Sequence, residues 1–145
     1  MIDSILLVDD EDLFHLVFED ACSLLDITLS LQSVSSADEA ERLFKTWYEN
    51  NNVDDKPECV FVDLNLIGSA FDGIELVRKI NFEYGNHVII GIISSSNEAE
   101  EQAKAMKAGA QFWIVKSDEI EPRLEEFRKD FEDYKNRKGL FKVYR

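Results

Sequence analysis

Basic residues are scarce in this sequence. Its 145 residues include 16 Lys and Arg but 30 Asp and Glu, which gives a formal net charge of −14. A protein that binds the phosphates of nucleic acid needs a basic surface, and this composition does not supply one. We therefore expect no nucleic-acid partner, whereas an acidic chain is compatible with a bound cation.

Long hydrophobic runs are also missing. The longest, such as residues 5–8 and 88–93, are far shorter than the roughly 20 apolar residues of a membrane-spanning helix. The start Met1-Ile2-Asp3 lacks the basic residues of a signal peptide. The sequence therefore predicts a cytoplasmic protein with no membrane partner.

Cysteine is rare, and the two cysteines do not have the spacing of a metal site. Cys22 falls in a helical pattern and Cys59 stands at the start of a strand pattern. We expect both to be reduced thiols in or near the core.

The chain length suits one domain with a single core. We expect this domain to occupy residues 1–138, with no output domain after it. Residues 139–145 form a tail of basic residues with interleaved apolar residues. In an acidic protein such a tail is expected to fold back on the protein's own surface rather than to dock on a partner.

Strand and helix patterns alternate five times along the chain. The strand-like runs are residues 5–8, 27–34, 59–63, 87–93 and 112–115, and residues at helical spacing follow each of them. Such alternation predicts a parallel sheet with helices on both faces and right-handed crossovers. We therefore expect an α/β, doubly wound, five-stranded sheet with the flavodoxin-like strand order 2-1-3-4-5.

Polar residues stand at the carboxyl ends of the predicted strands. The central run Cys59-Val60-Phe61-Val62 reads as a strand buried on both faces, and Asp63 ends it. Strands 1, 3, 4 and 5 are neighbours in the expected order, so their ends meet at one edge of the sheet. The residues that this edge brings together are Asp9, Asp10, Asp63, Ser94 and Lys116.

This set of side chains suggests phosphoryl chemistry. Carboxylates a few ångströms apart repel one another, which raises a pKa or requires a cation, and their oxygens suit Mg²⁺. A carboxylate can also accept a phosphoryl group as an aspartyl phosphate, which needs positive charge at the phosphoryl oxygens. Mg²⁺ and Lys116 would supply that charge, and the Ser94 hydroxyl would donate a hydrogen bond.

Five fragments, in order and near the expected spacing, resemble the receiver domains of two-component response regulators. They are Leu-Leu-Val-Asp-Asp-Glu at 6–11, Val-Asp-Leu-Asn at 62–65, Asp-Gly at 72–73, Ser-Ser at 94–95, and the run from Ala108 to Lys116. The resemblance covers about residues 3–130. It implies that residues 1–138 are a receiver domain.

The resemblance implies a phosphorylation site and a metal site. By position, Asp63 would be the phosphoacceptor. Asp10, Asp63 and the main-chain carbonyl of Asn65 would bind Mg²⁺, and Asp9 would act indirectly through the metal's shell. Lys116 would contact the phosphoryl group.

The resemblance also implies a switch. Ser94 stands where the family has a Ser or Thr that moves toward the phosphoryl group, and Trp113 stands at the aromatic position that turns inward with it. For Trp113, simple packing in a strand is the alternative. The signal would leave through the surface of helix 4, strand 5 and helix 5, roughly residues 98–134.

The implied function is a phosphorylation-activated switch. A histidine kinase or a phosphotransfer protein would phosphorylate Asp63, and the switch would then change binding to an unknown downstream protein or form a phosphorylation-dependent dimer. The protein would be no enzyme beyond Mg²⁺-dependent self-phosphorylation and self-dephosphorylation. Two departures from the family stand beside the site: Ser117 replaces a proline, and Ile67 lies in a longer loop after Asp63.

Two other functions compete with this one. Haloacid-dehalogenase-like phosphatases also use an Asp nucleophile on a parallel sheet, but in the first strand and with an acidic residue two positions later. Here the residue two positions after Asp63 is Asn65, which cannot protonate a leaving group. The other alternative is a receiver-like interaction module that is never phosphorylated, and the intact acids, Ser94 and Lys116 count against it.

Overall fold

The computed structural model describes residues 2–49, 56–66, 72–85, 87–117, 119–137 and 139–145. Helices and strands alternate along these segments, as the sequence pattern predicts. The elements are β1 (Ile2–Val8), α1 (Asp12–Leu25), β2 (Thr28–Val34), α2 (Ala37–Glu49), β3 (Cys59–Asp63), α3 (Gly73–Tyr84), β4 (Ile89–Ser94), α4 (Ala99–Ala108), β5 (Phe112–Val115), α5 (Glu121–Asn136) and β6 (Lys142–Tyr144).

The sheet is parallel and has the order β2-β1-β3-β4-β5-β6. The α/β class, the doubly wound arrangement and the order 2-1-3-4-5 of the first five strands are confirmed. The prediction of five strands was wrong, because Lys142–Tyr144 of the tail adds β6 beside β5. A strand of three residues in a basic segment has too little apolar pattern to be recognised without its tertiary contacts.

Strand β3 lies in the middle of the sheet, and all five of its residues are buried. Val60 and Val62 face the core formed with α2, α3 and α4, whereas Cys59 and Phe61 face the core formed with α1 and α5. The Phe61 ring contacts several rings of the second core, and those of Phe18 and Phe112 each lie 5.0 Å from it, centroid to centroid. Burial on both faces explains why this strand reads as a continuous apolar run.

Helix ends follow the local sequence. The Asp72 carboxylate accepts a hydrogen bond of 2.9 Å from the Glu75 amide and so caps α3. Gly109 has φ 112° and ends α4 in the left-handed conformation, as predicted. Pro122 lies in the first turn of α5, where its missing N–H has no intrahelical partner to lose.

Both cysteines are free and buried. None of the helices in the described part of the chain is long and apolar enough to cross a membrane. The departure at Ile67 lies outside the described residues.

Candidate functional site

Three carboxylates converge at the carboxyl edge of the sheet. Asp9 directly follows β1, and its amide donates to the carbonyl of Val34 at the end of β2 with an N···O distance of 3.0 Å. Asp10 comes next, and Asp63 ends the neighbouring strand β3. One oxygen from each carboxylate lies within 4.8 Å of the others. Parallel pairing of β1 with β3 produces this convergence, because it places both strand ends at one edge.

The Lys116 side chain reaches into the same cluster. Its Nζ lies 2.7 Å from Asp9 Oδ2 and 3.6 Å from Asp63 Oδ1. Its main-chain amide donates to the Ser94 carbonyl with an N···O distance of 2.8 Å, which fixes the end of β5 against the end of β4. The structure therefore places one cation among three acids.

Asp9 is the most buried of the three acids, with no exposed surface. Its Oδ1 accepts a hydrogen bond of 2.8 Å from the Glu11 amide. Its main-chain carbonyl lies 2.5 Å from Nε2 of the half-buried His15. Asp9 therefore shapes the turn into α1 and pairs with Lys116, while Asp10 is half-buried and more accessible.

The cluster also has the character of a cation site. Asp9 Oδ2 pairs with Lys116 but has no hydrogen bond of good geometry within the described residues. A buried carboxylate oxygen without such a bond is costly unless a further positive group approaches it. Hard oxygen donors of this kind suit Mg²⁺. The donor set thus fits the metal that the resemblance implies.

Asp63 has a strongly perturbed pKa. The pKa rises from 3.8 to about 7, mainly because burial disfavours the charged carboxylate. The charge of Lys116 and a hydrogen bond from the Asn65 amide lower the pKa. The neighbouring carboxylates of Asp9 and Asp10 raise it. The carboxylate is thus poorly compensated by its protein neighbours alone. A cation at the cluster would favour its charged form.

Asn65 itself is exposed beside the site. Its main-chain amide donates a hydrogen bond to the Asp63 carboxylate. The role of its carbonyl as a metal ligand remains a prediction.

Ser94 and Trp113 each form a hydrogen bond with Ser96 in the loop after β4. Ser94 is buried, and it follows Ile93, the residue of β4 that pairs with Asp63. Its Oγ accepts a hydrogen bond of 3.1 Å from the Ser96 amide. Trp113 is fully buried, and its Nε1 donates to the Ser96 carbonyl with an N···O distance of 3.0 Å. Ser96 therefore connects the two predicted switch residues, a link that the sequence does not reveal.

Two further residues lie at the site but were not among the predicted site residues. A Cβ on Gly73 would lie 2.1 Å from the Asp63 carbonyl oxygen, so only glycine lets α3 begin so close to β3. The signal was present, because Gly73 belongs to the Asp-Gly fragment of the resemblance. The Lys116 Nζ lies 4.3 Å from the ring centroid of Phe14. Phe14 carried no signal of its own, since it belongs to the apolar stripe of α1.

The loop after β5 has Ser117 where the resemblance would imply a proline. The peptide bonds of the described residues, including the one between Lys116 and Ser117, are trans. The Ser117 hydroxyl donates to the Glu119 carbonyl at 2.9 Å and accepts from Arg123 Nη1 at 2.6 Å. Side-chain hydrogen bonds therefore hold this loop in place.

The comparisons with known proteins agree with this fold. The family model of the response regulator receiver domain matches residues 5–125. The chain therefore belongs to the response regulator receiver domain family. Members of this family act as phosphorylation-activated switches in two-component signalling and are typically not enzymes.

Several solved structures have a similar fold. NtrX from Brucella abortus is 26% identical with a TM-score of 0.74, and the match covers 94% of this chain but only 28% of the NtrX chain. The phosphorylated cyanobacterial phytochrome response regulator RcpA is 20% identical with a TM-score of 0.71, over 92% of this chain and 94% of its own. The Mn²⁺-bound form of response regulator Rcp1 is 16% identical with a TM-score of 0.66, over 88% and 91%. No curated protein matches the sequence.

Proposed function

We propose that Asp63 is the phosphoacceptor of this receiver domain and that a histidine kinase or a phosphotransfer protein is the donor. The observation that carries the proposal is the position of Lys116, whose Nζ lies among the carboxylates and 3.6 Å from Asp63 Oδ1. Transfer to a carboxylate needs a positioned nucleophile and positive charge beside the phosphoryl oxygens, and this pair provides both.

The transfer is a displacement at phosphorus. A carboxylate oxygen of Asp63 attacks the phosphorus of a phosphohistidine, and a P–O bond forms while the P–N bond breaks. The imidazole nitrogen leaves with the electron pair of that bond and takes up a proton. The Lys116 ammonium, which pairs with Asp9 before transfer, is near enough to Asp63 to pair with a phosphoryl oxygen afterwards.

Mg²⁺ fits the acidic cluster. Asp10, Asp63 and the main-chain carbonyl of Asn65 would hold it, and Asp9 would act through its shell. The bound ion would supply positive charge to the carboxylates and to the incoming phosphoryl group. The Mn²⁺-bound form of response regulator Rcp1 supports a divalent ion in a related fold.

The output would begin at Ser94. A phosphoryl group on Asp63 would attract the Ser94 hydroxyl away from the Ser96 amide, and the hydrogen bond from Trp113 to Ser96 would carry the change to β5. We place the output on the surface of α4, β5 and α5. Because β6 pairs with the outer edge of β5, it belongs to that surface too.

The changed surface would alter binding to a downstream protein or promote a dimer. We place this signalling in the cytoplasm, and we propose no nucleic-acid partner for a chain of net charge −14.

Intact mass spectrometry tests the proposal. The protein is incubated with acetyl phosphate, with and without Mg²⁺. The variants are wild type, Asp63→Asn and Asp133→Asn, the last of which removes an exposed carboxylate in the last turn of α5. We expect wild type and Asp133→Asn to gain one phosphoryl group only with Mg²⁺, and Asp63→Asn to gain none. A folded, Mg²⁺-binding wild type that gains none would favour an inert interaction module, and sustained hydrolysis of a phosphate monoester would favour the phosphatase.

A further inference from the structure

The Lys116 ammonium has a third neighbour besides its two acids. Its Nζ lies 4.3 Å from the centre of the Phe14 ring, on the ring's face. Phe14 is 7% exposed and the Lys116 side chain is 12% exposed, so water is largely excluded from this contact. A ring face carries partial negative charge, and its attraction for a cation strengthens when the pair is desolvated.

The Phe14 ring is held by the same framework as the acids. The Phe14 amide donates to the Glu11 carbonyl at 3.1 Å, and the Glu11 amide is bound by Asp9 Oδ1 at 2.8 Å. The ring centroid also lies 6.0 Å from that of Phe18, which in turn lies 5.0 Å from the ring centroid of Phe61 in β3. The ring thus stands in a fixed place relative to both Asp9 and the strand that carries Asp63.

We propose that Phe14 is a positioning residue, whose ring face holds the Lys116 ammonium between Asp9 and Asp63 so that it meets the phosphoryl group. The inference rests on the proposed function. A lysine has four rotatable side-chain bonds, and its two acidic partners fix only part of its geometry. Without the ring, the ammonium can remain on Asp9 or turn toward water. Phosphoryl transfer depends on positioned charge, so a misplaced ammonium slows it.

Three variants separate positioning from packing. Phe14→Leu keeps an apolar side chain but removes the ring face, and Phe14→Tyr keeps the ring. Phe131→Leu is the matched control, because it removes a buried ring from the same core that packs against Phe127 rather than against Phe14. Each variant is compared with wild type after correction for the folded fraction.

Two readouts are needed. The first is the NMR shift of the Lys116 ε-methylene and ammonium protons in metal-free protein, which the ring face moves upfield. The second is the rate of Asp63 phosphorylation by acetyl phosphate at saturating Mg²⁺, together with the Kd for Mg²⁺ from calorimetry. We expect Phe14→Leu to lose the upfield shift and about three- to tenfold in rate, with Kd unchanged. Phe14→Tyr and Phe131→Leu should keep both readouts.

Two results would overturn the inference: a Phe14→Leu variant with the wild-type shift and rate, or a Phe131→Leu variant with the same loss of rate. A wild type that accepts no phosphoryl group would instead overturn the proposed function. The Lys116 shift in Phe14→Leu would then decide alone whether the ring holds the ammonium.

Discussion

The hydroxyl groups of Tyr134 and Tyr144 lie 2.8 Å apart in the interior and join α5 to β6. The Tyr144 hydroxyl also donates to Asp130 Oδ2 at 2.8 Å, and its ring packs edge-on against that of Phe127. Tyr144 is 1% exposed although it is the second-last residue of the sequence. The tail is therefore anchored as part of the core, and β6 covers an edge that β5 would otherwise leave unpaired.

Removing the Tyr144 hydroxyl should destabilise the protein. Tyr144→Phe keeps the ring but leaves Tyr134 and Asp130 each without one hydrogen bond, and a buried unsatisfied group costs about 1–3 kcal/mol. We expect the free energy of unfolding in urea to fall by about that amount. Tyr84→Phe, which alters a half-buried tyrosine of α3, is the control and should change it by less than about 0.5 kcal/mol. Equal effects of the two variants would contradict the anchoring role.

Acid should weaken the same anchor. Partial burial raises the pKa of Asp130, but hydrogen bonds from Lys142 and Tyr144 outweigh it and lower the pKa below its ordinary value of 3.8. Because the folded-state pKa is the lower one, this stabilisation is complete above the unfolded pKa and is lost as pH falls through the folded pKa. We expect Asp130→Asn to flatten the fall of the urea midpoint below about pH 4. If the urea midpoint of the variant fell as steeply at low pH as that of wild type, Asp130 would not contribute to the loss of stability in acid.

The sequence was sufficient to predict the framework of the site. Alternating strand and helix patterns predict the sheet order, and strand ends in that order place Asp9, Asp10, Asp63 and Lys116 at one edge. These inferences succeed because β3 is buried on both faces and its pattern is unbroken. They depend on local periodicity and on topology, both of which a single sequence expresses.

The remaining features depend on contacts between distant residues. Strand β6 is held in place because Tyr144 forms hydrogen bonds with Tyr134 and Asp130 of α5. The sequence of Lys142–Tyr144 has no strand pattern strong enough to predict this strand. The periodicity of α1 places Phe14 on the buried face, but it cannot show that the ring faces Lys116. In the same way, the order of the acids does not reveal that Lys116 lies closer to Asp9 than to Asp63.

Gly73 should not tolerate a side chain. In Gly73→Ala the new Cβ would lie 2.1 Å from the carbonyl oxygen of Asp63, a main-chain atom that cannot move without shifting the site. We expect a loss of about 2–4 kcal/mol in the free energy of unfolding and weaker Mg²⁺ binding, measured by urea titration and calorimetry.

The control for Gly73→Ala is Gly139→Ala. Gly139 has a φ of 82° but open space around its Cβ position, so that variant should lose only about 1 kcal/mol, from backbone strain, and keep its Mg²⁺ affinity. Equal losses of stability with unchanged Mg²⁺ binding in both variants would show that the start of α3 can move away from Asp63 freely.

The charge of Asp63 should destabilise the metal-free protein at neutral pH. Its pKa rises from 3.8 to about 7 in the folded state, mainly through burial. Between these values the folded protein retains a proton that the unfolded chain has released, so the free energy of unfolding falls as pH rises. Asp63→Asn removes this titration and should be more stable than wild type at pH 8, by about 1 to 2 kcal/mol after allowance for solvent screening.

Urea titrations in EDTA at pH 5 and pH 8 measure this difference, with Asp133→Asn as the control that should follow wild type. Mg²⁺ should then reverse the order at pH 8, because it binds the folded wild type through the charged Asp63 and binds Asp63→Asn more weakly. Wild type and Asp63→Asn curves that run parallel from pH 5 to pH 8 would show that Asp63 is already ionised throughout this range. In that case Lys116 and the Asn65 amide would compensate its charge without a metal ion, and the rate of phosphorylation at saturating Mg²⁺ should not depend on pH between pH 5 and pH 8.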